Sequence, residues 1–139
     1  MYKTVLVKEL IEDGEKLLQE LDRRAFPLSA ALWYLDPDRG AWKLVIASEI
    51  ADTPGPLEAY MRIDQAMATL KGIGLSMGDI VIMSPKSRSF EDFRRKIEGV
   101  NALAAPEHRV KMEGLEFDDA HIYRWPDWED STVANRKAG

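Results

Sequence analysis

Residues 29–48 read SAALWYLDPDRGAWKLVIAS, two apolar runs on either side of the turn-forming cluster DPDRG. Pro37 pre-sets φ for a turn and Gly40 is free to take the positive φ that closes such a loop, so the stretch reads as a β-hairpin. With Pro37–Gly40 as the loop, Leu35 opposes Trp42, Trp33 opposes Leu44 and Ala31 opposes Ile46 on one face. Leu32 with Val45 and Tyr34 with Lys43 then share the other. The first face carries the larger apolar volume and is expected beneath helices. The second is still partly apolar and is expected to be covered in part by another element or by a partner.

Upstream of the hairpin, Val7, Leu10, Ile11, Gly14, Leu17, Leu18 and Leu21 recur at helical spacing. This predicts a helix over about Thr4 to Arg24 with a single apolar stripe. Gly14 lies on that stripe, where it costs helix propensity but admits close approach of a neighbour. Core packing accounts for the stripe; a self-association seam would need a longer heptad run. Phe26-Pro27 ends the helix.

Downstream, Thr53-Pro54-Gly55-Pro56 is a helix start, and Tyr60, Ile63, Met67 and Leu70 with Ala59 and Ala66 form a buried stripe to about Leu70 or Lys71. Asp79–Ser84 is a short continuous apolar run, the pattern of a strand buried on both faces. A strand, a helix and a strand in succession imply a crossover, so this third strand is expected parallel to the second strand of the hairpin. A third helix follows over about Phe90 to Glu98, capped by Ser89 or Ser87, with Phe90, Phe93 and Ile97 inward and Gly99 past its end. Val100–Pro106 reads as a loop. A second hairpin is expected from His108–Met112 and Leu115–Trp125, turning at Glu113-Gly114. Leu115 and Phe117 share one parity and Ala120 and Ile122 the other, which predicts a β-bulge near Asp118-Asp119.

The order α-β-β-α-β-α-β-β predicts one α+β domain over residues 1–125 with a single mixed five-stranded sheet and helices mainly on one face. Residues 126–139 are expected as a polar tail, with Trp128 docked. The segments Val7–Gly14, Ala30–Trp33, Trp42–Ser48 and Gly55–Tyr60 resemble those of a group of short bacterial proteins to which no function is assigned. The resemblance covers about residues 1–125 and implies no catalytic or binding residue.

The totals set aside several functions. Lys plus Arg number 19 against 24 Asp plus Glu, a net charge of -5, which disfavours a broad nucleic-acid-binding or membrane-surface role. With no cysteine in the chain, disulfides, thiol nucleophiles and Cys-ligated zinc are excluded. No signal-peptide pattern follows Val5-Leu6-Val7, and no run approaches the ~20 apolar residues of a membrane span. A cytoplasmic protein is expected.

The strand exits form the most specific candidate site. Parallel second and third strands end on one edge of the sheet, where open α/β sheets place ligands. That edge collects Ser48, Glu49 and Asp52 from one exit and Ser84, Lys86, Ser87 and Arg88 from the other. The start of the third helix adds free N–H groups suited to an anion. The segment lacks the glycines of a phosphate loop, and no Gly-x-Ser-x-Gly elbow is present. Asp118, Asp119 and His121, with His108 opposite, have metal-ligating chemistry, yet a surface strand explains them without a metal, and no metal or cofactor is expected. Pro37-Asp38 is turn chemistry, since no Glu-x-Lys follows it as a metal-dependent nuclease would require. The Arg94-Arg95-Lys96 run reads as a solvated face. Tyr34, Trp125 and Trp128 exceed what one small core needs and are candidate interface residues. The reading that results is a non-catalytic binding module, a homodimer or a docking unit for a protein partner, acting through an incompletely covered sheet face or edge. The competing reading is an anion-binding or small-molecule enzyme with its site at the strand exits.

Overall fold

The computed structural model describes residues 6–103, 112–114, 116–117 and 119–126. Its elements are α1 (Lys8–Arg23), β1 (Ala30–Asp36), β2 (Ala41–Ala47), α2 (Pro56–Ala68), β3 (Ile80–Met83), α3 (Arg88–Leu103), β4 (Glu116–Phe117) and β5 (Ala120–Arg124). Short 3-10 turns at Glu49–Ala51 and Met77–Asp79 precede α2 and β3. They form an α+β fold around a single mixed sheet. Its body is ordered β3-β2-β1-β5, with the two residues of β4 paired on β5 at the far side.

The hairpin folds in the register its turn dictates. Leu35 faces Trp42, Trp33 faces Leu44 and Ala31 faces Ile46, and Gly40 takes a φ of +63° at the end of the loop. The crossover through α2 places β3 parallel to β2, with Leu44 beside Ile80 and Ala47 beside Met83. β2 is therefore an interior strand and β1 is central.

The sheet has two cores. On one face Trp33, Leu44 and Ile46 pack with Leu17, Leu18 and Leu21 of α1 and with Ala59, Ile63 and Ala66 of α2. On the other, Leu32 and Val45 pack with Phe90, Met112, Ile122 and Trp125, joined by Phe93 and Ile97 of α3. Helices thus lie on both faces, where the sequence predicts them mainly on one. The apolar stripe of α3 is the cover that the second face required. α3 is also longer than expected, continuing past a kink at Gly99, which has φ 44° and ψ -125°.

Three further expectations are corrected. β3 is not buried on both faces: it is the edge of the sheet, with Ile80 buried and Val81, Ile82 and Met83 half-buried. α1 begins at Lys8, leaving Val7 ahead of the helix and exposed. The second hairpin lies elsewhere in the chain. The chain does turn at Glu113-Gly114, where Gly114 has φ +87° and donates its N–H to the Ile122 carbonyl. The stretch 115–125, however, is not one strand, because Phe117 pairs with Ala120 and the chain reverses between them. Two turn-forming aspartates at 118 and 119 favour that reversal over a bulge. The bulge sits further on: Ala31 opposes Arg124 while Leu32 opposes Ile122, so Tyr123 is the extra residue. The expected first strand of that hairpin, His108–Met112, falls outside the described residues but for Met112, which is buried.

The bulge serves packing. A bulge lets two successive side chains share a face, and here both Tyr123 and Arg124 turn toward α1. Arg124 pairs with Asp22. The Tyr123 hydroxyl accepts from the Trp33 indole N–H at 3.0 Å and donates to the Ile11 carbonyl at 2.5 Å. Asp13, buried on the same helix, accepts the Gly74 N–H at 2.8 Å and ties α1 to the segment after α2.

Candidate functional site

Pairing of Ala47 with Met83 sets the two strand exits side by side, and the Ser48 N–H donates to the Met83 carbonyl at 3.0 Å. The expected convergence of Ser48 and Ser84 is present. Their hydroxyls, however, are engaged by the backbone. Ser48 Oγ is fully buried and accepts the Ile50 N–H at 3.2 Å, and Ser84 Oγ accepts the Lys86 N–H at 3.2 Å. Ser87 Oγ donates to the Ser84 carbonyl at 2.7 Å and accepts the Phe90 N–H at 3.1 Å, which makes Ser87 the cap of α3. Glu49, Lys86 and Arg88 are exposed around them. The arrangement is that of capped turns with charges in solvent.

The aromatic residues expected at an interface lie inside the chain where they are described. Tyr34 meets Phe93 edge-on at 5.1 Å, with Lys96 Nζ 5.5 Å from its ring centroid. The Tyr34 hydroxyl beside Lys96 holds its ammonium above the usual lysine range. Trp125 is 7% exposed, packs against Phe90 and donates its indole N–H to Glu98 Oε2 at 2.8 Å. Trp128 lies outside the described residues. Arg94 does not belong to a solvated face. It bonds Glu98 Oε2 through Nε at 3.0 Å, and the pair sits beneath α3 with side chains 13% and 2% exposed. The cause is common to all: α3 closes the face that the sequence leaves open.

What remains open among the described residues is the outer side of β3. In the parallel ladder with β2, the Met83 carbonyl accepts from Ser48, so the backbone polar groups of Val81 and Met83 are directed inward, toward β2. Those of Ile80 and Ile82 are directed outward. Among the described residues no strand pairs on that side. Edge strands are ordinarily guarded by charge, proline or a bulge, and Ile80-Val81-Ile82-Met83 contains none of these. α2 adds exposed apolar surface, since Leu57 and Met61, one turn apart, are 74% and 48% exposed.

A polar cleft of about 330 Å³ lies across the molecule, between α1 and β5, lined by Glu15, Gln19, His121, Tyr123 and Arg124. Tyr123 is part of this lining. Burial pushes its hydroxyl well above the usual tyrosine range, against the opposing effect of the Trp33 hydrogen bond, and keeps it a neutral donor to Ile11. The His121 ring stands edge-on to Tyr123 at 5.1 Å. Arg124 is held by Asp22, whose carboxyl the guanidinium keeps below the usual range.

Protein-family models, curated proteins and solved structures give no match to the chain. Among the described residues no group of three or more His, Asp or Glu is placed to hold a metal ion, and no helix is long and apolar enough to cross a membrane. Asp118 and His108, weighed with His121 as ligands, lie outside the described residues.

Sequence reading misses the buried pairing of Arg94 with Glu98 and the cleft. Arg94 and Glu98 are four apart on one helix, a spacing that signals an ion pair but not its burial. The cleft depends on the Tyr123 bulge, which no local motif announces.

Proposed function

We propose that this chain is a non-catalytic protein-binding module of the cytoplasm, which associates through the open edge of β3 and does so with itself as a homodimer. The observation that carries the reading is the outer side of Ile80–Met83, which among the described residues is unguarded and pairs with no strand. An extended segment added to such an edge gains main-chain hydrogen bonds, while half-buried Val81, Ile82 and Met83 supply apolar contact. The engagement of Ser48, Ser84 and Ser87 by the backbone favours this reading over an anion site at the strand exits.

Light scattering across a concentration series tests it, with twice the monomer mass expected at high concentration. Val81→Lys, which adds the charge that edge strands usually carry, should give the monomer mass with an unchanged circular dichroism spectrum. A wild-type monomer at millimolar concentration overturns the reading. The cleft supports a second reading, binding of a small polar molecule between Glu15 and His121. Ligand-dependent shifts of the His121 ring signals in a compound screen, in a chain that stays monomeric, would favour it.

A further inference from the structure

Resting on the edge-pairing reading above, we infer that the occupant of the β3 edge is a second copy of this chain, paired antiparallel with the two-fold axis at Ile82. The outward backbone row runs Ile80, Ile82, Ser84. Two of its six polar groups are already used within the chain. The Ile80 N–H donates to the Met77 carbonyl, closing the turn before β3. The Ser84 carbonyl accepts from both the N–H and the hydroxyl of Ser87, closing the turn after it.

Among the described residues four groups remain without a partner: the Ile80 carbonyl, the Ile82 N–H, the Ile82 carbonyl and the Ser84 N–H. An antiparallel pair centred on Ile82 matches each of them to its complement. Ile82 N–H meets the second copy's Ile82 carbonyl, twice by symmetry, and Ser84 N–H meets the second copy's Ile80 carbonyl, also twice. The two engaged groups would have faced one another at the ends of the same ladder. Shifting the axis to Val81 sets Ile80 against Ile82, so that one Ile82 carbonyl in each copy looks for the Ile80 N–H already taken by Met77. The two turns therefore select one register, and they select a self-complementary one, as a two-fold interface requires.

The side chains agree with this register. Ile82 lies on the α1 and α2 face and Val81 and Met83 on the α3 face. The axis keeps the faces in common, so the two Ile82 side chains meet beside α2. Val81 meets the second copy's Met83 beside α3. The result is one continuous sheet running through both copies.

The chain contains no cysteine, so single-cysteine variants report the register without background. Directly opposed residues in a hydrogen-bonded antiparallel pair have Cα atoms about 5.5 Å apart, within disulfide reach, whereas diagonal neighbours at about 7–8 Å are not. Ile82→Cys should cross-link to a covalent dimer under mild oxidation. Val81→Cys and Met83→Cys should each remain monomeric on a denaturing gel, yet cross-link to one another when mixed. Preferential cross-linking of Val81→Cys or Met83→Cys alone overturns the Ile82-centred register. A dimer that Val81→Lys disrupts but that none of the three cysteines cross-links also overturns it, and leaves edge association standing. A wild-type monomer at every concentration removes both.

Discussion

Gly14 sits where a hydroxyl needs to be. A Cβ built at this position would lie 2.5 Å from Tyr123 Oη and 2.9 Å from Trp33 Nε1. The approach of these two groups to the helix, and with it the bond from Tyr123 to the Ile11 carbonyl, depends on the missing side chain. Alanine would gain about 1 kcal/mol of helix propensity but overpack the site, which typically costs about 1–3 kcal/mol. Gly14→Ala should therefore destabilise the chain by up to roughly 2 kcal/mol in urea denaturation. In a Tyr123→Phe background the nearer clash is gone, and the cost of Gly14→Ala should shrink measurably; equal costs in the two backgrounds would sink this account of the glycine. Ala25 presents the converse case. It ends α1 at φ 58°, with its N–H donated to Asp22 and the Phe26 N–H donated to Leu21, a helix terminus that normally takes glycine. Ala25→Gly should raise stability by about 1 kcal/mol, the cost of a left-handed L-residue. An unchanged urea midpoint would count against it.

The elements differ in how far the sequence discloses them, and the differences have physical causes. The first hairpin was fully legible, because a proline and a glycine fix its loop and thereby its register and faces. The crossover was legible from one glycine-flanked proline and one apolar run. The placement of α3 was not: a stripe of Phe90, Phe93 and Ile97 states that a face is buried, but not against which side of the sheet. Tyr34 and Trp125 exceed what one small core needs, and it is the second core, under α3, that takes them. Where a bulge is expected near Asp118-Asp119 the chain instead reverses between Phe117 and Ala120, and the bulge lies at Tyr123, because parity shows that an irregularity exists, not its form or its place. Of the candidate site, the convergence of Ser48 and Ser84 was legible, whereas the backbone bonds that engage them depend on turn geometry. At the end of α1, charge pairing shapes the acid response. Hydrogen bonds from Arg23, then Arg24, lower the Glu20 carboxyl from 4.5 to about 2, and Arg124 lowers that of Asp22. Both groups have folded values below their unfolded ones, so the stability they contribute is present above the unfolded value and lost as pH falls through the folded one. Between pH 4.5 and about 2 the urea midpoint should fall. Because the arginines and Asp22 in these pairs are in partial contact with solvent, the fall should be modest, and Glu20→Gln should flatten it.

Over the whole molecule, the two helix-covered cores leave the sheet unfinished along one line only among the described residues where apolar side chains and unpaired backbone groups coincide, the outer side of β3. A chain of 139 residues buries about two thirds of its unfolded surface and stands alone with modest stability. Association through β3 would then be linked to folding, because a partner that binds the folded state alone stabilises it by mass action. For a dimer that dissociates as it unfolds, each tenfold dilution removes about 1.4 kcal/mol per dimer, or about 0.7 kcal/mol per chain. At this size that lowers the melting temperature by roughly 2–3 °C. Calorimetric scans of the wild type over a hundredfold concentration range should show twice that displacement. Scans of Val81→Lys should superimpose, since its charge blocks pairing; because Val81 packs at the margin of the second core, the variant's melting temperature should be lower by the same amount at every concentration. Wild-type scans that superimpose as well would show that the edge contributes nothing to stability at those concentrations, and that the guard missing from β3 has no folded partner to explain it.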